Sequence, residues 1–155
     1  MSTRLTGLAF LVLLAAGLSA AANPMVGTWK MNMEKSTFSP GPAPKSSTIV
    51  ISMDDDWIVS EANTVQADGQ TVTRKNRYKL DGKEYPYDGP GGKGTIMGTR
   101  KDDHHTSATI KYDDGGMTKS TATISEDGNV RTLTTSGTNA KKEKVQNTIV
   151  YDKEP

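Results

Sequence analysis

Five Asp-Gly pairs, at Asp68-Gly69, Asp81-Gly82, Asp88-Gly89, Asp114-Gly115 and Asp127-Gly128, punctuate this chain between short runs that alternate apolar or Thr with charged residues. Asp-Gly suits the tight turn of a β-hairpin, because a type I′ turn needs positive φ at both central residues. The runs are Ser47–Met53, Trp57–Gln66, Thr71–Leu80, Lys83–Asp88, Gly94–Arg100, Thr106–Tyr112, Met117–Ser125, Val130–Ser136 and Lys144–Asp152, with Met25–Met31 ahead of them. No stretch after residue 22 sustains a period of 3.6, so period-2 alternation decides the class. The chain reads as all-β: an antiparallel up-and-down meander of about eight to ten strands.

A long meander leaves two edges exposed unless it closes on itself, and closure removes them. A barrel is therefore the expected architecture, with an open or flattened sandwich second. Leu80 and Leu133 are the only leucines after residue 22. Thr-rich strands with few large aliphatics suit a barrel whose interior is partly polar. A membrane barrel needs a continuous apolar outer band, yet Thr71-Val72-Thr73-Arg74-Lys75-Asn76-Arg77 places charge on both faces. Asn32 to Lys45 reads as one long loop: Ser39-Pro40-Gly41-Pro42-Ala43-Pro44 can form neither helix nor central strand, and Glu34-Lys35-Ser36 suggests a single helical turn ahead of it.

The first residues have the layout of a cleavable secretory signal. Arg4 gives a positive start, Leu8–Ala16 is an uninterrupted apolar run, and Leu18-Ser19-Ala20 and Ala20-Ala21-Ala22 offer small-x-small cleavage sites. Cleavage is expected after Ala22, leaving residues 23–155 as a single domain in the periplasm or outside the cell. The apolar run is too short to span a bilayer, which takes about 20 residues, so no transmembrane span is expected after cleavage. The chain has 0 Cys, which removes disulfides, thiol nucleophiles and thiolate metal sites. With 19 Lys and Arg against 18 Asp and Glu, and Arg4 lost with the leader, the charges balance. That gives no electrostatic footprint for nucleic acid.

Gly27-Thr28-Trp29, at the start of the domain, resembles the Gly-x-Trp of the first strand in lipocalins and the wider calycin barrels. The long first loop and the meander that follows are similar too. The resemblance implies a lipocalin-like barrel over residues 23–155, with Trp29 plugging its closed end and a ligand held inside. In that family an Arg packs over the Trp, and Arg131 is its nearest counterpart here. Gly27-Thr28-Trp29-Lys30-Met31-Asn32, the stretch Lys35–Ser46, and Gly137-Thr138-Asn139-Ala140 with Thr148–Lys153 also resemble a set of small exported bacterial proteins, some described as lipocalin-like.

No catalytic constellation stands out, so a non-enzymatic binding protein without cofactor or bound metal is expected. His104-His105 follows Asp102-Asp103, but adjacent strand residues point to opposite faces and do not chelate one ion. Asp54-Asp55-Asp56 and Asp113-Asp114-Gly115-Gly116 lack the spacing and closing Glu of a Ca²⁺ loop. Gly89-Pro90-Gly91-Gly92-Lys93-Gly94-Thr95 is followed by no helix, as a phosphate loop requires. Glu61 and Glu84 do not form a recognisable carboxylate pair. The residues expected to line a pocket for a small apolar or amphipathic ligand are Trp29, Trp57, Arg74, Tyr78, Tyr112, Arg131 and Tyr151, the arginines offering forked donors to a carboxylate. The alternative is a protein-interaction module, an envelope inhibitor or accessory subunit, that uses the Pro-rich loop 39–44 as a rigid contact surface.

Overall fold

The computed structural model describes residues 23–155; the leader assigned to residues 1–22 lies outside them. Ten antiparallel strands follow one another: β1 Gly27–Thr37, β2 Ser46–Asp54, β3 Trp57–Val65, β4 Thr71–Tyr78, β5 Asp81–Gly89, β6 Gly92–Arg100, β7 His105–Tyr112, β8 Met117–Ile124, β9 Val130–Thr138 and β10 Lys144–Lys153. They form one sheet in the order β4-β3-β2-β1-β10-β9-β8-β7-β6-β5. Each strand pairs with its sequence neighbour except at one place. β1 pairs with β10, whereas β4 and β5 stand side by side without a strand ladder. The result is a nearly closed up-and-down barrel.

The β4/β5 seam is joined by a side chain. Asn76 Nδ2 donates to the carbonyl of Asp88 at 2.8 Å, and the amide N–H of Asp88 donates back to Asn76 Oδ1 at 2.8 Å. An Asn amide carries one acceptor and one donor group, so it imitates the backbone partner that the missing ladder would have supplied. Arg74 Nε lies 3.6 Å from Asp88 on the same seam.

Three of the five Asp-Gly pairs lie where hairpins turn, but not as type I′ turns, and Asp81-Gly82 opens β5 instead. Gly69, Gly115 and Gly128 have φ of 91°, 78° and 74°, while the Asp before each is not left-handed. In all three the glycine N–H donates to the carbonyl three residues back: Gln66, Tyr112 and Ser125, at 2.9, 2.9 and 2.8 Å. A single left-handed residue closing a right-handed turn gives a wider loop, for which Gly alone suffices. Lys142, with φ 66°, plays the same part in the β9–β10 loop. Asp88-Gly89 belongs to β5 itself, and that turn falls at Pro90-Gly91.

The expected loop from Asn32 is shorter than its sequence suggests, and the helical turn at Glu34–Ser36 is absent. β1 runs on to Thr37 through a bulge, since Asn32 faces Val150 and Thr37 faces Thr148. The Ser36 hydroxyl makes this possible. It donates to the carbonyl of Asn32 at 2.6 Å and accepts the Val150 N–H at 3.0 Å, filling the break in the ladder.

The core gathers at one end. Trp29 is fully buried, with Met25, Met31, Ile51, Ile58, Ile124 and Tyr151 around it. Its indole N–H donates to the Met25 carbonyl at 2.9 Å. The cation over the indole is Lys153, not Arg131: Lys153 Nζ lies 5.1 Å from the ring centroid and donates to the Pro24 carbonyl at 3.1 Å. Lys153 faces Trp29 directly in the β1/β10 register, which puts it in reach where Arg131, a strand further, is not. A smaller cluster of Ile96, Ile110 and Tyr112 sits on the far wall.

A candidate ligand cavity in the barrel

Between these clusters the barrel is hollow. A cavity of about 510 Å³ opens at the end carrying the β1–β2, β3–β4, β5–β6 and β9–β10 loops. That volume lies within the range of small-molecule sites. Apolar side chains from β1, β2, β6, β7 and β10 line it: Met31, Ile49, Ile51, Ile96, Ile110 and Ile149. Hydroxyl groups break up this lining in pairs that bridge neighbouring strands. Ser47 bonds Thr64 at 2.9 Å, Ser120 bonds Thr135 at 2.8 Å, and Tyr112 bonds Thr118 at 3.1 Å.

Arg74, Tyr78, Tyr112, Arg131 and Tyr151 all face this cavity. Alternation along their strands brings them to the inner wall, with Tyr151 opposite Arg131 in the β10/β9 register. Trp29 does not line the cavity; it lies beneath it in the closed end. Trp57 is outside it altogether. Ile58 takes the inward position at the start of β3, so Trp57 is turned toward the seam. There it meets Tyr85 edge-to-face at 5.2 Å, with the Arg77 guanidinium 4.0 Å and the Lys79 ammonium 4.7 Å from its ring. Arg77 and Lys79 are themselves paired with Asp54 and Asp56. Asp54 and Asp56, on either side of the β2–β3 turn, thus hold two cations against the indole.

Arg131 is the outstanding group of the interior. Its Nε and Nη1 are buried and have no hydrogen-bond partner, and its guanidinium lies 5.6 Å from the Tyr151 ring. A guanidinium stays charged in a protein and carries donors only. Burying such donors unpaired is costly. Tyr78 and Tyr151 flank it, and burial pushes both phenols above their ordinary value, with the charge of Arg131 opposing. Tyr87, higher on the wall, is raised too, again chiefly by burial. These phenols are neutral donors and acceptors at any physiological pH. Room for Tyr87 and Tyr112 comes from glycine: a Cβ at Gly89 would collide with the Tyr87 ring, and one at Gly91 with the Tyr112 hydroxyl. The glycine-rich stretch therefore lets the two aromatic side chains approach its backbone closely.

The Pro-rich loop belongs to the mouth. Pro40, Gly41, Pro42 and Pro44 contribute to the cavity wall, and the loop is tied to β10 by Gln146 N–H donating to the Ser39 carbonyl at 2.7 Å and Ser39 N–H donating to Asn147 Oδ1 at 2.9 Å. The two histidines go separate ways. His104 Nδ1 donates to the carbonyls of Ile124 and Ser125, each at 3.1 Å, and His105 Nδ1 lies 2.8 Å from Asp102. The His105 contact holds the Asp102 carboxyl below its usual value. Among the described residues no three metal-ligating side chains converge, and no helix is long and apolar enough to cross a membrane.

A ten-stranded up-and-down barrel, hollow and open at one end, has the calycin-type, lipocalin-like fold. Solved structures share it. A fatty acid binding protein of Schistosoma mansoni in complex with arachidonic acid is 14% identical with a TM-score of 0.59, the match covering 85% of this chain and 97% of that one. As-p18, an extracellular fatty acid binding protein, is 14% identical with a TM-score of 0.60 over 85% of this chain and 97% of that one. The zebrafish ileal bile acid-binding protein complexed with cholic acid is 16% identical, with a TM-score of 0.54 over 84% of this chain and 99% of that one. No family model matches the sequence, and no curated protein matches it.

Proposed function

We propose that this chain is an exported, non-enzymatic binding protein of the cell envelope that holds a small amphipathic carboxylate in its barrel, the anionic group against Arg131. The observation that carries this reading is the buried guanidinium with two unpartnered donors inside an otherwise largely apolar cavity. A carboxylate fits the fork of a guanidinium with two charge-assisted bonds. Tyr78 and Tyr151 can add neutral O–H donors beside it. An apolar body would then lie along Met31, Ile49, Ile51 and Ile149 toward the mouth. The arachidonic and cholic acids named with two of the similar structures combine an apolar body with a carboxylate, which supports the same class. The leader-like residues 1–22 support export. A protein-interaction module built on a filled barrel is not favoured, because the interior is hollow and loop 39–44 forms part of its mouth.

The test is native mass spectrometry of protein expressed from the full chain and recovered from the host's periplasm or medium. A mass beginning at Asn23, with a co-purifying anionic amphiphile that Arg131→Met loses, is the expected result. Protein that stays empty and also fails to bind a fluorescent fatty acid would overturn the reading.

A further inference from the structure

Arg131 and Thr135 lie on the same strand and the same inner face, four residues apart. At a strand rise of about 3.3 Å per residue, that separates their Cα atoms by about 13 Å. Thr135 is bonded to Ser120 across β8/β9 at 2.8 Å, and both line the cavity. Two hydroxyls bring two O–H donors and several lone pairs. Their mutual bond consumes one donor and leaves the other, with spare acceptor capacity, on residues that line the cavity. Between this pair and Arg131 the wall is apolar, made by Leu133 and Ala122, which face each other in the register, with Ile149 beside Leu133. The inner surface of β8–β10 therefore presents a cationic point, an apolar step and a hydroxyl point in a straight line.

Building on the carboxylate reading above, we infer that the cavity selects amphiphiles carrying a second polar group, a hydroxyl or carbonyl, in mid-chain at the level of Ser120 and Thr135, over plain acyl chains of equal length. A plain chain passing Ser120 and Thr135 displaces water from their free donor and returns nothing. A ligand hydroxyl at that level replaces the lost water bond. A hydrogen bond of this kind corresponds to about tenfold in affinity.

The experiment is calorimetric titration of the mature protein with three probes: stearate, stearate hydroxylated at mid-chain, and stearate hydroxylated next to the carboxylate. The mid-chain hydroxyl is expected to lower Kd about tenfold, while the hydroxyl beside the carboxylate leaves it near that of stearate. In the Ser120→Ala/Thr135→Val double variant the mid-chain preference is expected to collapse while stearate binding persists. Equal affinity for all three probes, an equal gain from either hydroxyl, or a preference that survives the double variant overturns the inference and leaves the carboxylate reading standing. Failure of every probe to bind, in wild type as in Arg131→Met, overturns both.

Discussion

At the closed end of the barrel, Trp29 has no exposed surface, its one polar atom is satisfied by Met25, and Lys153 covers its face. In the open half, built from the same strands, hydroxyl pairs interrupt the apolar wall, and at its floor, beside Tyr151 and Ile124, the guanidinium of Arg131 has donors to spare. The strands run through both regions, so the difference does not come from secondary structure. It comes from what occupies the inward positions: below, large apolar residues meet and fill the space around Trp29, and above, apolar side chains are interrupted by hydroxyls and leave a hollow. The lower region is packed for stability. The upper region gives up packing and keeps unsatisfied polar capacity, the usual mark of a place that receives something.

This contrast can be broken from either side. Trp29→Ala should show the largest effect, a loss of about 3–5 kcal/mol in chemical denaturation, because the closed end has little room to collapse around the void. An equal loss from Tyr112→Ala on the upper wall would erase the distinction. Arg131→Met should act in the opposite sense. It removes an unpaired buried charge, so the ligand-free protein should gain about 1–3 kcal/mol while binding of a carboxylate probe is lost. A destabilised Arg131→Met protein would mean that the guanidinium is structural. Asn76→Ala should cost about 1–2 kcal/mol, two seam hydrogen bonds being lost, and hydrogen exchange should rise in β4 and β5 before any other strand. The smallest effect concerns pH. Tyr78, Tyr87 and Tyr151 have folded values raised above 10.0, so the folded state holds their protons more tightly than the unfolded chain. Their contribution is complete below the unfolded value and declines as pH climbs through and past it. Stability should therefore fall from about pH 10 upward, and Tyr87→Phe should flatten that fall.

Much of the upper architecture was legible because period 2 and Asp-Gly spacing are local signals. Ten strands form over the runs that alternation marks, β1 alone running well past its expected end to Thr37, and the edges created by so many strands imply closure. Trp29 was readable from Gly27-x-Trp29 as a plug, though not as a cavity-lining residue. What the sequence withholds are choices of parity and long-range pairing. Trp57 is as apolar as Ile58 beside it, and only the register of β3 against β2 and β4 tells which one turns inward. Lys153 finds Trp29 through a pairing between the first strand and the last. Asn76 is an ordinary polar strand residue until β4 and β5 come together without a ladder. The Asp-Gly signal located three turns but not their type, since a glycine that tolerates positive φ serves a wider loop as well as a tight one, and two further pairs fall inside β5. Ser36 defeated the loop reading of Asn32–Lys45 by letting a hydroxyl replace a backbone partner.

The pairing of β1 with β10, together with the unpaired junction of β4 and β5, has a consequence for the order of assembly. Covalent continuity and ladder continuity are broken at different points around the ring. Hairpins β1–β4 and the meander β5–β10 can each form from neighbouring segments, but the ring is completed only when Met31 meets Tyr151, 120 positions later in the chain. Contacts of such separation slow folding. A nascent chain therefore stays uncommitted until its last strand is available. A permuted gene starting at Leu80, with the natural ends joined by a short linker, would turn the one distant pairing into a local hairpin and should fold faster to the same barrel.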